Sequence, residues 1–167
     1  TCALPIWQKY REQNYIEGKR HGLKFSWYET GSKKEQQYFT RSLINGVHLQ
    51  WYENGQKKLE GNYINGKYDG VWTQWFVDGQ KFIEGKYNED MLDGFWTQWY
   101  KNGNKFSKGL YEDSKQIKSW VYFSPDSKDS SEVFFSNGKP LDGVKTEWYL
   151  NGKKESEIKY VEGKISG

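Results

Sequence analysis

Two histidines, His21 and His48, are the only imidazoles in this 167-residue chain. Imidazole is the side chain best placed to ligate zinc or to move protons at neutral pH. Neither histidine is accompanied by cysteines at zinc-ligand spacing, so no metal site follows. His48 stands where Trp72, Trp96 and Trp120 stand later in the chain, and reads as a variable strand position; His21 falls in a connecting turn. Asp69, Asp93 and Asp142 each precede a glycine, a recurrence that a calcium stack would use. Asn45 and His21 take the same place elsewhere, however, and no Gly-Gly-x-Gly-x-Asp pattern accompanies them. Asp and Asn before Gly are ordinary turn formers, because their side chains bond the nearby backbone. The serines form no Gly-x-Ser-x-Gly elbow, and no strand, glycine-rich loop and helix follow one another to cradle a phosphate. The expectation is a protein without catalysis, cofactor or small-molecule substrate.

Two recurrent columns remain. Lys33, Lys57, Lys81, Lys105 and Lys154 each stand two residues past a turn glycine. Evenly spaced like charges could meet anionic phospholipid headgroups, at about 1 kcal/mol each near a charged surface. The competing role, which the pattern favours, is protection against edge pairing, with Glu60, Glu84 and Glu157 neutralising the column. Trp72, Trp96 and Trp120 form the second column, on the strand face opposite Trp75 and Trp99. In a single-layer sheet one of these columns would be exposed and could dock a protein partner, since Trp is a preferred interface anchor. If the sheet folds over itself, both are core.

The element that positions these columns is a repeat. Gly22, Gly46, Gly70 and Gly94 stand 24 residues apart, and the phrases from Gly70 to Gly79 and from Gly94 to Gly103 are nearly identical. A fixed period of this length marks a repeat array. Trp27, Trp51, Trp75, Trp99, Phe123 and Trp148 share one position; Tyr15, Phe39, Tyr63, Tyr87, Tyr111, Phe135 and Tyr160 close successive units. The fifth unit has Lys118 and Ser127 in place of its glycines, then gains one residue near Pro140-Leu141-Asp142 before Gly143 restores the phase. Asn54-Gly55, Asp78-Gly79, Asn102-Gly103 and Asn151-Gly152 each separate two alternating runs, the strongest short-range hairpin signal. Second turns follow, as at Asn65-Gly66 and Asn137-Gly138. The fold class is therefore all-β: an elongated array of stacked antiparallel hairpins, roughly a dozen strands long, twisted and curved. Aromatic ladders are expected to hold it, one through Trp27, Trp51, Trp75, Trp99, Phe123 and Trp148, another through Tyr28, Tyr52, Phe76 and Tyr100.

Composition agrees. The hydrophobic fraction is 35% and mean hydropathy −1.04, too polar for a thick core, yet aromatics reach 19%. Disordered chains are depleted in aromatics, so a thin, aromatic-laced sheet resolves the conflict. Net charge is +3 with the charges interspersed, which does not nominate nucleic acid as a partner. No apolar run approaches the roughly 20 residues of a membrane helix; the sequence leaves the compartment open, with the cytoplasm favoured. Residues 1–6, Thr-Cys-Ala-Leu-Pro-Ile, do not fit the repeat and match what a common sequencing adapter would encode. They are expected to be a non-native leader, with residues 7–167 a repeat array truncated at both ends. The alternative for Cys2, a lipoprotein cysteine, lacks a preceding signal peptide.

Two segments carry a family signature. Tyr15 to Gly22 and Tyr63 to Gly70 resemble the Tyr-x-x-Gly-Lys-x-x-Gly core of MORN repeats. The longer phrase from Gly94 to Lys105 resembles the bacterial variant of that repeat, found in proteins labelled YwqK-family antitoxins. The resemblance covers Trp7 to Gly167. It implies a non-catalytic interaction module: in its most concrete form an antitoxin- or immunity-like protein that binds a protein partner. The alternatives are a peripheral module on an anionic membrane and a scaffold segment of a larger protein.

Overall fold

The structure, a computed structural model, describes residues 10–166; residues 1–6, expected to be a leader, lie outside that range. Fifteen strands follow one another without a helix among the described residues. They are β1 (Arg11–Ile16), β2 (Lys19–Trp27), β3 (Lys33–Thr40), β4 (Leu43–Ile44), β5 (Gly46–Trp51), β6 (Lys57–Ile64), β7 (Lys67–Trp75) and β8 (Lys81–Asn88), then β9 (Met91–Trp99), β10 (Lys105–Glu112), β11 (Lys115–Phe123), β12 (Ser130–Ser136), β13 (Lys139–Trp148), β14 (Lys154–Val161) and β15 (Lys164–Ile165). All belong to one open antiparallel sheet in chain order, with β4 pairing β3 off the main path. The hairpin array read from the period is present, as a single layer.

Two kinds of turn alternate, and they divide the labour differently from the sequence expectation. At Asp78-Gly79 the Gly79 N–H donates to the Phe76 carbonyl at 3.0 Å and the Phe76 N–H to the Gln80 carbonyl at 2.8 Å. Only Gly79 has a left-handed φ, +88°. This is a three-residue loop closed by a glycine bulge, not a two-residue turn with both central residues left-handed. Asp78 contributes through its side chain, Oδ1 accepting the Gln80 N–H at 3.1 Å. The two-residue turns lie at the opposite rim. Glu89-Asp90 is one, with φ of +48° and +73° and no glycine. Left-handed L-residues cost about 1–2 kcal/mol each, and a clasp offsets that strain. The Asp90 N–H donates to the Tyr68 carbonyl at 2.9 Å, while the Tyr68 N–H donates to Asp90 Oδ1 at 2.7 Å. Ser42 clasps Arg20, and Ser114 clasps Leu92, in the same way. Each rim turn is thus fastened to the preceding unit.

The core is one side-chain thick and rests on glycine. Trp72, Trp96 and Trp120 are 5–7% exposed, and each indole lies across a glycine of the preceding strand: Gly61, Gly85 and Gly109. A Cβ built on Gly85 would stand 2.0 Å from the Trp96 ring, and those on Gly61 and Gly109 would stand 2.1 and 2.2 Å from theirs. The indole N–H groups then reach backbone carbonyls, Trp96 Nε1 donating to Lys86 at 3.1 Å. Tyrosines fill the intervals edge-on, with Tyr87–Trp96, Trp96–Tyr111 and Tyr111–Trp120 centroids at 5.2, 6.0 and 5.0 Å. The continuous aromatic ladder is this one. Trp51, Trp75 and Trp99, on the other face, stand two strands or about 9.6 Å apart, too far for ring-on-ring contact. Where the glycine is absent, so is the tryptophan: Gln37 is followed by His48, and Val133, whose Cα partner is Trp120, is followed by Lys145.

Gly85→Ala is expected to destabilise the chain by about 2 kcal/mol or more, because a rigid ring rather than a flexible tip must yield. Combined with Trp96→His, the two losses in urea unfolding should fall short of their sum, since the smaller ring clears the added methyl. At the fifth unit Lys118 holds φ +56° where other units use glycine. Lys118→Gly should raise the urea midpoint, by about 0.5–1 kcal/mol in stability.

Candidate functional site

The two faces of the sheet offer different chemistry. On the first, the buried Trp72–Trp96–Trp120 column corrects one expectation: those indoles are not an exposed docking strip. The physical reason is the glycine row, which lets each ring lie down against the backbone so that flanking tyrosines close over it. What this face presents instead are Phe82 and Phe106, about 40% exposed, and the tyrosine edges. Strands β8 to β11 and β13 enclose there a groove of about 320 Å³, lined by Tyr87, Leu92, Trp96, Phe106, Tyr111, Trp120, Tyr122 and Lys145, with Gln98, Ser107 and Gln116 as its polar members. Burial pushes the Tyr87 and Tyr111 phenols up from their ordinary value, so both remain neutral hydrogen-bonding groups. Lys145 stays cationic, its pKa raised by the hydrogen bond to Glu147 at 2.9 Å, and lies 5.6 Å from the Tyr122 ring centroid. Sequence reasoning missed the groove because it tracked the tryptophans alone. The signal was there: Gly61, Gly85 and Gly109 recur with the same period, each eleven residues before its tryptophan.

The second face carries the lysine column, on the same side of the sheet as Trp51, Trp75 and Trp99. Lys33, Lys57, Lys81, Lys105 and Lys154 are cross-strand partners of Trp27, Trp51, Trp75, Trp99 and Trp148. Lys57 Nζ lies 2.6 Å from Glu60 and 5.3 Å from the Trp75 centroid of the next unit; Lys81 lies 2.6 Å from Glu84 and 5.6 Å from Trp99. Lys154 pairs with Glu157. Lys33 lies over Phe25 at 5.8 Å. Where the other units carry glutamate three residues on, Lys33 is followed by Gln36 and Lys105 by Lys108. Three of the five ammonium groups therefore already have a carboxylate, and the gaps between tryptophans are filled by lysine stems.

Neither histidine joins a reactive set. His48 Nε2 sits 3.0 Å from Glu35 and 3.3 Å from both Gln37 and Gln50, and its partners are one carboxylate and two amides. A nucleophile is not among them. Among the described residues no group of three or more His, Cys, Asp or Glu is placed to hold a metal ion. Asp69, Asp93 and Asp142 are dispersed along the rim, Asp142 Oδ1 accepting the Glu162 N–H at 3.0 Å.

Residues 44–65 and 141–162 match the MORN repeat variant. Each stretch covers one hairpin, β5–β6 and β13–β14. They stand four periods and one residue apart, as the single extra residue in the fifth unit requires. No curated protein matches the chain. MORN-type repeats at these two places fit a repeat-based module for interaction or membrane binding, and no helix among the described residues is long and apolar enough to cross a membrane.

The Glu35 cluster yields a pH dependence. Hydrogen bonding from His48, then from Lys24 and Gln50, outweighs burial and holds the Glu35 carboxyl at about 2, against an ordinary 4.5. Its contribution is complete above pH 4.5 and is lost as pH falls from there towards 2. Thermal melts of wild type and Glu35→Gln should differ most above pH 5, by about 2–3 kcal/mol, and converge near pH 2.

Proposed function

We propose that the array is a non-catalytic interaction module that seats a segment of a partner protein on its tyrosine–tryptophan face. The groove spanning β8 to β13 is the observation that carries this reading. It combines aromatic walls, a few polar groups that can fix orientation and one cation, the composition that recognition sites share. The walls are backed by a ladder of rings resting on backbone, so they are preorganised and little ordering cost is added on binding. The resemblance to MORN-type antitoxins makes a toxin, blocked sterically, the most concrete partner. A scaffold segment of a larger protein would use the same groove. A peripheral membrane role for the lysine column is less well supported, because Glu60, Glu84 and Glu157 neutralise three of its members.

A phage-displayed library of random dodecapeptides, panned against the chain, tests the groove. Enriched peptides should carry apolar anchors beside an acidic residue. Their affinity should fall at least about tenfold in a Phe106→Ala, Lys145→Glu variant that keeps the wild-type circular dichroism. Peptides that bind wild type and variant equally would place recognition elsewhere.

A further inference from the structure

The lysine–tryptophan face has a second feature that neither the repeat signature nor the groove uses. Towards the two-residue turns it exposes an apolar column at repeat spacing: Leu23, Val47, Val71 and Phe95, the last two 60% and 73% exposed. Ile64 and Met91, about half exposed, extend it one row further towards the rim. The register fixes these side chains on the face of Trp75 and Trp99, since Val71 and Phe95 precede by an even number of residues the tryptophans of their own strands. Asn62 and Lys86 stand between successive members on the intervening strands, so the column is a row of separate apolar projections set in a polar surface.

We propose that this face is a self-association surface, on which a second copy of the chain packs sheet against sheet. Three observations select that occupant. The first is spacing: the apolar side chains recur every second strand, about 9.6 Å apart, so a partner must offer projections at that interval over several repeats. Another copy of the same sheet does so by construction, and two sheets pack face to face with interdigitating side chains about 10 Å apart. The second is charge. Lys19, Lys67 and Lys86 share this part of the face with Asp69, Asp93 and Glu112, three cations against three anions. A two-fold axis sets each patch against itself, and a balanced patch can do this without repulsion, whereas an anionic bilayer or nucleic acid would find no net attraction. The third is size. The path from β1 to β10 holds nine strands, β4 lying off it, so the patch spans about 43 Å by about 14 Å, or roughly 600 Å² on each copy. The resulting 1,200 Å² or so lies at the lower end of the range of specific interfaces.

Sedimentation velocity on the full chain, from about 1 to about 200 µM and with reductant present so that Cys2 forms no cross-link, tests this directly. The wild type should move from one chain mass to two with rising concentration. Val71→Glu with Phe95→Glu should remain at one chain mass throughout, with wild-type strand content. If the charged pair loses strand content, Val71→Thr with Phe95→Thr serves, and should weaken association at least about tenfold. A wild type that stays at one chain mass at the highest concentration overturns the proposal. So does a dimer that both variants leave unchanged. The same samples are mixed with phosphatidylcholine vesicles; binding by a monomeric wild type, abolished by the substitutions, would reassign the face to a lipid surface.

Discussion

The contact between an indole ring and a glycine on the strand before it governs this protein. A one-layer sheet has no opposing layer against which to bury large side chains, and a chain with few aliphatics cannot build one. The glycine row solves the problem by removing the Cβ atoms that would hold each ring off the backbone. Trp96 can then lie flat over Gly85, bond Lys86 through its N–H and be closed over by Tyr87 and Tyr111. Everything else follows from that row of rings. The tyrosines pack because the indoles are fixed. The groove has firm walls because the tyrosines pack. The opposite face need bury little, so lysine stems suffice to fill the spaces between its tryptophans.

At the amino-terminal end the same row is built from other chemistry. Gln37 and His48 replace glycine and tryptophan, and the space is occupied by a hydrogen-bonded set around Glu35 and Lys24. That set lies beside Tyr63 and Trp72, with His48 centroids 5.8 and 6.1 Å from theirs, so the polar and aromatic segments form one continuous layer. Val133 and Lys145 end the ring series in the other direction. The aromatic groove is confined to the middle and later units because only there does the glycine–tryptophan pair persist.

The hairpins, their order and the opposed faces of Trp72 and Trp75 were legible from the period alone, because a two-residue alternation between turn signals has few other outcomes. The turn geometry was not. Asn-Gly and Asp-Gly announce a hairpin but do not distinguish a two-residue turn from a three-residue loop with a glycine bulge, and the true two-residue turns include Glu89-Asp90, which carries no glycine. What stabilises it is a partner 22 residues back, invisible to a local reading. Burial of Trp72 was equally hidden in its own segment; it is decided by Gly61 on a different strand. The exposed positions of Val71 and Phe95 were hidden for the opposite reason, since an apolar residue at repeat spacing reads as core until the layer count is known.

Strand order that follows chain order throughout has a mechanical consequence. The two ends of the described chain lie at opposite edges of the sheet, with β1 at one and β15 at the other. Tension between them would load the ladders of hydrogen bonds one strand at a time, as a zipper is opened, rather than shearing many together. Each hairpin so released would lengthen the chain by about 70 Å, the contour of one 24-residue unit less the two strand spacings it spans when folded. The array should therefore extend under low force in even steps, a compliant spring rather than a rigid strut.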